Sequence, residues 1–139
     1  MASMLKEDIL QIQEEWGSGV VQIGKNELDA KNFVNKMYAS EVLMKPTIAK
    51  EQAFRMSHAD IISYFIGGHI SEDNGFALKP WTNVRFENEG IHFKNKQAFA
   101  VGHYFFTDSN GEETKVEYSF GYIIEEGKIK INLHHSSLP

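Results

Sequence analysis

Ile129-Lys130-Ile131-Asn132-Leu133-His134-His135-Ser136-Ser137 is the stretch on which the fold turns. Its first half alternates apolar and polar residues, as a half-buried strand does. Its second half places two imidazoles and two hydroxyls where a packing strand wants Val, Ile or Phe. A period of two puts Ile131, Leu133, His135 and Ser137 on one face and Asn132, His134 and Ser136 on the other. An apolar face that turns polar at its tip builds the rim of a pocket. Working backwards, three more long strands precede it, over about residues 81–94, 97–108 and 113–125. Asn95-Lys96, Asn110-Gly111 and Glu126-Gly127 are the hairpin turns between them. Gly90 marks a bulge in the first of these strands.

The N-terminal half reads differently. Leu5, Ile9, Ile12, Trp16, Val20 and Ile23 recur in steps of three and four, one face of an amphipathic helix over about residues 4–25. Ser3 is its expected N-cap, and Gly17 and Gly19 are small enough to let another element come close. A second helix follows from about Asp29 to Tyr38. Val42 to Pro46 is a short strand, with Glu51 to Arg55 as its expected partner. Ser57 caps a third helix, His58 to Ile66, which Gly67-Gly68 stops. Helices first and an antiparallel meander last is an α+β pattern. A strongly curved sheet wrapped around the first helix makes a cone with one open end. Phe99, Phe105, Tyr118, Phe120 and Tyr122 fit either the cone interior or a sheet face used for dimerisation.

The chain's 139 residues suit one domain, read as residues 1–139. Met1-Ala2-Ser3 reads as a cloning remnant before a second start at Met4, and the chain as one domain of a longer precursor. Met1 to Met4 lacks the charged and apolar regions of a signal peptide. A net charge of −5 argues against nucleic acid and anionic membranes as partners. No apolar run is long enough to span a bilayer. Cysteine is absent, which excludes disulfides, thiol nucleophiles and Cys-type metal sites.

No metal motif is present. Histidines 58, 69, 92, 103, 134 and 135 include no i, i+4 helical pair, and adjacent His134 and His135 face opposite ways. There is no phosphate loop and no nucleophile elbow. Neutral hydrogen-bonding groups on apolar elements remain. Tyr64 sits in the apolar run Ile61 to Ile66, where a buried phenol needs a partner. Thr47, after Pro46, reads either as a turn residue or as a pocket hydroxyl. His135 reads either as a satisfied rim histidine or as a base.

Four blocks carry a resemblance: Lys45-Pro46-Thr47; Ser63-Tyr64-Phe65 with Gly67-Gly68; the run from Gly75 through Lys79-Pro80-Trp81 to Asn88; and Asn132-Leu133-His134-His135-Ser136-Ser137-Leu138-Pro139. Tyr104 to Asp108 and Lys115 to Tyr122 extend it. Together they resemble the iota-class carbonic anhydrases, which are related to the association domain of calmodulin-dependent kinase II within the NTF2-like superfold. The resemblance implies reversible hydration of carbon dioxide to bicarbonate, no metal or other cofactor, and a homodimer. It implies a soluble intracellular location, in the chloroplast of an alga or the cytoplasm of a bacterium. It carries the pocket hydroxyls onto Thr47, Tyr64 and Ser137, with His135 beside Ser137; as an imidazole, His135 is the expected proton acceptor. Two rivals share the fold: a non-catalytic oligomerisation or ligand-binding module, and an isomerase or dehydratase with a carboxylate, such as Asp60 or Glu117, inside the cone.

Overall fold

Apolar residues at helical spacing form α1 (Lys6–Gly24) in the computed structural model, which describes residues 3–139. The reading of Met1 and Ala2 lies outside the described residues. Ile9, Ile12, Trp16, Val20 and Ile23 are all buried on one side of α1. Its N-cap is Leu5, not Ser3. The helix starts later than the pattern suggests because the Asp8 carboxylate reaches back to accept the Leu5 N–H at 2.8 Å. Gly19 answers to a close approach, since a Cβ there would lie 2.2 Å from the Phe33 ring. Phe33 belongs to α2 (Ala30–Met37), capped by Asp29.

The chain passes from α2 directly into β1 (Tyr38–Lys45), longer than the short strand read from sequence. Only an isolated Met44–Arg55 bridge represents the expected partner segment. Then come α3 (His58–Ile66), capped by Ser57, and a single 3-10 turn (Phe76–Leu78). The meander follows as β2 (Trp81–Lys94), β3 (Gln97–Asp108), β4 (Glu113–Glu125) and β5 (Lys128–Ser137), with the expected bounds. The strand order is β1-β5-β4-β3-β2, antiparallel except for the parallel β1–β5 pair. The open sheet curls around α1.

Alternation along β3 and β4 sorts the aromatics. Tyr104, Phe106, Tyr118, Phe120 and Tyr122 point into the cone and are buried. Phe99 and Phe105 point outward. Trp16 is the hub inside, stacked on Tyr104 with ring centroids 5.5 Å apart and edge-on to Phe86, Phe106 and Phe120. Burying a side chain of this size is worth several kcal/mol, so the cone's shape is set largely by what surrounds one indole.

Candidate active site

The face assignment of β5 changes partway along the strand. Tyr122 pairs with Ile131 but Gly121 pairs with Leu133, so Asn132 is an extra residue in the ladder. Such a bulge shifts every later side chain to the other face. Ile131 therefore points into the cone, and so do His134 and Ser136, each only 2% exposed. His135 and Ser137 point outward, opposite Ser119 and Glu117. The expectation that Ile131, Leu133, His135 and Ser137 share one face fails at Asn132. Gly121 lies across from the bulge, where a Cβ would come within 2.8 Å of the Asn132 side-chain oxygen. A glycine inside an otherwise aromatic strand was the available signal of this irregularity.

His134 is enclosed by rings. Phe120 stacks on it at 4.1 Å and Trp16 meets it edge-on at 5.6 Å. Burial pushes its pKa down to about 3, helped by the nearby His135, so the ring is neutral through the physiological range. Both ring nitrogens have phenol partners: Tyr38 lies 2.9 Å from Nδ1 and Tyr104 lies 3.0 Å from Nε2. Trp16 Nε1 donates to the Tyr38 oxygen at 3.0 Å. On the other side, Tyr104 donates to Ser136 Oγ at 2.6 Å, and Ser136 Oγ lies 2.6 Å from Thr47 Oγ1. A continuous hydrogen-bonded chain thus runs Trp16–Tyr38–His134–Tyr104–Ser136–Thr47. Burial raises the pKa of Tyr38 and Tyr104, so both phenols stay protonated.

The chain ends at a cavity of about 640 Å³ at the open end of the cone. Thr47, Tyr64, Phe76, Trp81, Phe106 and Val116 line it, so its interior is mainly apolar. Burial is also the main reason that the Tyr64 pKa is raised; its phenol lies against the Ile48 backbone and the Thr47 side chain, which oppose the rise. Lys45 holds the two hydroxyl-bearing segments together, its Nζ donating to the carbonyls of Thr47 (3.3 Å) and Ser136 (3.5 Å).

One cavity wall is the loop that carries Glu72 and Asp73. It is fixed by the fully buried Arg55, whose guanidinium donates two hydrogen bonds to the Asp73 carboxylate at 2.8 and 2.9 Å. Ser63 donates a third at 2.5 Å. Glu72 accepts from the backbone N–H groups of Lys50, Glu51 and Gln52, which hold its pKa below the usual range. Periodicity and spacing gave no sign of the Arg55–Asp73 pair, because the two residues lie in irregular segments on either side of α3.

Of the residues singled out from sequence, the structure thus brings Thr47 and Tyr64 together in the cavity. It puts His135, exposed, and Ser137, half-buried, on the outer face. Sequence reasoning placed His134 and Ser136 on the wrong side of the strand. It read Trp16 and Tyr38 only as core residues. Asp60 and Glu117 lie outside the cone, paired with His69 and His103. Among the described residues no group of three or more His, Asp or Glu is arranged to hold a metal ion.

A long helix in the grip of a curved five-stranded sheet, with its cavity at the open end, defines the NTF2-like α+β class, and solved NTF2-like proteins align over nearly the whole chain. A family model described as metal-independent carbonic anhydrase matches residues 7–138, and the chain belongs to that family. The metal-independent carbonic anhydrase of Nostoc sp. (strain PCC 7120) is 32% identical over 153 aligned positions, covering 99% of this chain and 75% of the relative. A crystal structure of the iota-carbonic anhydrase from a cyanobacterium, complexed with bicarbonate, superposes with a TM-score of 0.92 at 29% identity, covering 99% and 93% of the two chains. A putative calcium/calmodulin dependent protein kinase II association domain from Xanthomonas campestris shares the fold at a TM-score of 0.69 and 23% identity, over 99% and 94%.

His134 makes stability depend on pH. Unfolded, its pKa returns to the ordinary 6.5, while the fold holds it at about 3. Its contribution is complete above pH 6.5 and is lost as the pH falls towards 3, at roughly 1.4 kcal/mol per pH unit. Urea unfolding between pH 7 and pH 5 is expected to show this decline. Equal stability across that window would mean that the ring is solvated.

Proposed function

We propose that this chain catalyses the reversible hydration of carbon dioxide to bicarbonate and a proton, with Thr47 and Tyr64 as the hydroxyls that meet the substrate. The observation that carries the reading is the hydrogen-bonded chain from His134 through Tyr104 and Ser136, which delivers a hydroxyl at Thr47 into an apolar cavity. Family membership supports it, as does the bicarbonate in the similar cyanobacterial structure.

The chemistry follows from the parts. Carbon dioxide is apolar and enters among Phe76, Trp81, Phe106 and Val116. A water held at the cavity floor attacks the carbon, its oxygen forming the new C–O bond. One C=O electron pair moves onto oxygen, and negative charge grows there. Hydroxyl donors aimed at that oxygen in a dry site stabilise it more than bulk water does. The Lys45 ammonium, anchored behind Thr47 and Ser136, adds a positive charge next to the same groups. The attacking water loses a proton, which leaves through the open mouth to solvent. His134 does not hold it, since its ring stays neutral down to about pH 3. The proton-acceptor role expected of His135 does not suit an exposed ring on the outer wall. A carboxylate-base isomerase is disfavoured as well: of the two carboxylates on the cavity wall, Asp73 is committed to Arg55 and Ser63, and Glu72 to the backbone N–H groups of Lys50, Glu51 and Gln52.

Stopped-flow hydration assays test this. Thr47→Val and Tyr64→Phe are each expected to lose on the order of 10²-fold in kcat. Ser136→Ala should lose roughly tenfold, the worth of one oriented hydrogen bond. His135→Ala and Ser137→Ala should stay near wild type, and chelator treatment should leave the rate unchanged. The reverse ranking, or activity restored only by added metal, would overturn the reading.

We also infer a homodimer through the outer sheet face, where Phe99 and Val101 are 43% and 49% exposed beside half-buried Phe105 and Leu133. Sedimentation should give a dimer, and Val101→Glu a monomer. A wild-type monomer at micromolar concentration would refute this.

A further inference from the structure

We propose that Trp16 and Tyr38, neither of which lines the cavity, set the direction in which the pocket hydroxyls point by fixing the ring tautomer of His134. The catalytic consequence rests on the carbon dioxide hydration reading; the tautomer itself does not.

The argument is one of proton counting. An indole N–H can only donate. Trp16 Nε1 is 3.0 Å from the Tyr38 oxygen, and both side chains are buried, so that oxygen is an acceptor. Tyr38 has a single proton, and its other polar neighbour is His134 Nδ1 at 2.9 Å. The proton must go there, because a buried O–H left without an acceptor is unfavourable. Nδ1 is then bare. A neutral imidazole carries one N–H, so Nε2 is protonated and donates to the Tyr104 oxygen 3.0 Å away. The Tyr104 proton is left for Ser136 at 2.6 Å, and the Ser136 proton for Thr47 at 2.6 Å. The Thr47 proton is the one left over, and Thr47 lines the cavity.

The other tautomer gives the opposite result. Nδ1–H would point at a Tyr38 oxygen already receiving the indole, and the Tyr38 proton would have no acceptor. Nε2 would draw the Tyr104 proton away from Ser136. Ser136 and Thr47 could then turn lone pairs towards the cavity, where the reaction builds negative charge. Burial of His134, with its pKa near 3, keeps the ring in the neutral form that this count requires. Trp16 and Tyr38 are positioning residues: they act on substrate only through His134, Tyr104 and Ser136. The chain is built to donate into the cavity: each oxygen along it already receives one hydrogen bond, from Trp16 at Tyr38, from His134 at Tyr104, from Tyr104 at Ser136 and from Ser136 at Thr47.

Two-bond ¹H–¹⁵N correlation spectra of the full chain labelled at histidine read the tautomer directly, with His134 assigned as the signal missing from His134→Asn. Wild type should show the Nε2–H pattern. Trp16→Phe removes the indole donor without touching the cavity lining. It should mix the two tautomers and lower kcat about tenfold with little change in KM. A wild-type Nδ1–H or doubly protonated ring overturns the proposal, and so does a Trp16→Phe protein with wild-type tautomer and kcat. If Trp16→Phe does not fold, Tyr38→Phe serves in its place, with the same tautomer mixing and loss of kcat expected and the same unchanged result overturning the proposal. A wild-type protein with the Nε2–H ring but no hydration activity would overturn the function proposed above and leave the tautomer assignment standing.

Discussion

A neutral imidazole buried among aromatic rings has to be hydrogen-bonded at both nitrogens, and His134 imposes that requirement on everything around it. Tyr38 on one side and Tyr104 on the other satisfy it. Each phenol must then place its own remaining bond. Tyr38 turns to Trp16, in the middle of α1; Tyr104 turns to Ser136, two residues along β5. One ring thereby ties the central helix, β1, β3 and β5 into a single polar spine inside an otherwise oily cone. The absence of any buried polar side-chain atom lacking a partner among the described residues shows how fully that spine is closed.

In the function proposed above, the same spine lets neutral groups stand in for an ion. Zinc enzymes lower the pKa of a bound water to about 7. Among the described residues no group of three or more His, Asp or Glu is placed to hold such an ion. What the cavity offers under that reading is a fixed set of donors on a mainly apolar lining, oriented before the reaction begins. Every titration shift in the spine points the same way: burial keeps the phenols protonated and the imidazole uncharged. The charged groups, Lys45 and the Arg55–Asp73 pair, sit behind the hydroxyls or in the cavity wall, where they brace the segments that carry Thr47 and Tyr64.

The architecture was largely legible from local rules. The β2 to β5 bounds follow from alternation and turn chemistry, with Glu126 and Gly127 both at positive φ as a tight hairpin turn requires. Ser57 caps α3 where expected, and Asp29, read as the first residue of α2, is its cap. The site was legible only in part. The resemblance carries the site onto Thr47 and Tyr64, which line the cavity, and onto His135 and Ser137, which do not; a strict period of two cannot register the extra residue at Asn132 that turns those two outward. The roles of Trp16 and Tyr38 were hidden for another reason. They are long-range partners 22 residues apart whose apolar bodies fit a core reading equally well, and their polar tips acquire meaning only beside His134. Arg55 and Asp73 were invisible because a buried ion pair is fixed by tertiary approach and leaves no periodic trace.

The most direct test of this account is a crystal structure of the chain soaked in bicarbonate. The anion should lie at the cavity floor within hydrogen-bonding distance of the Thr47 and Tyr64 hydroxyls, with no cation beside it and His135 still on the outer wall. Bicarbonate held instead at the outer face by His135 and Ser137, or bridged to the protein by a metal ion, would contradict it.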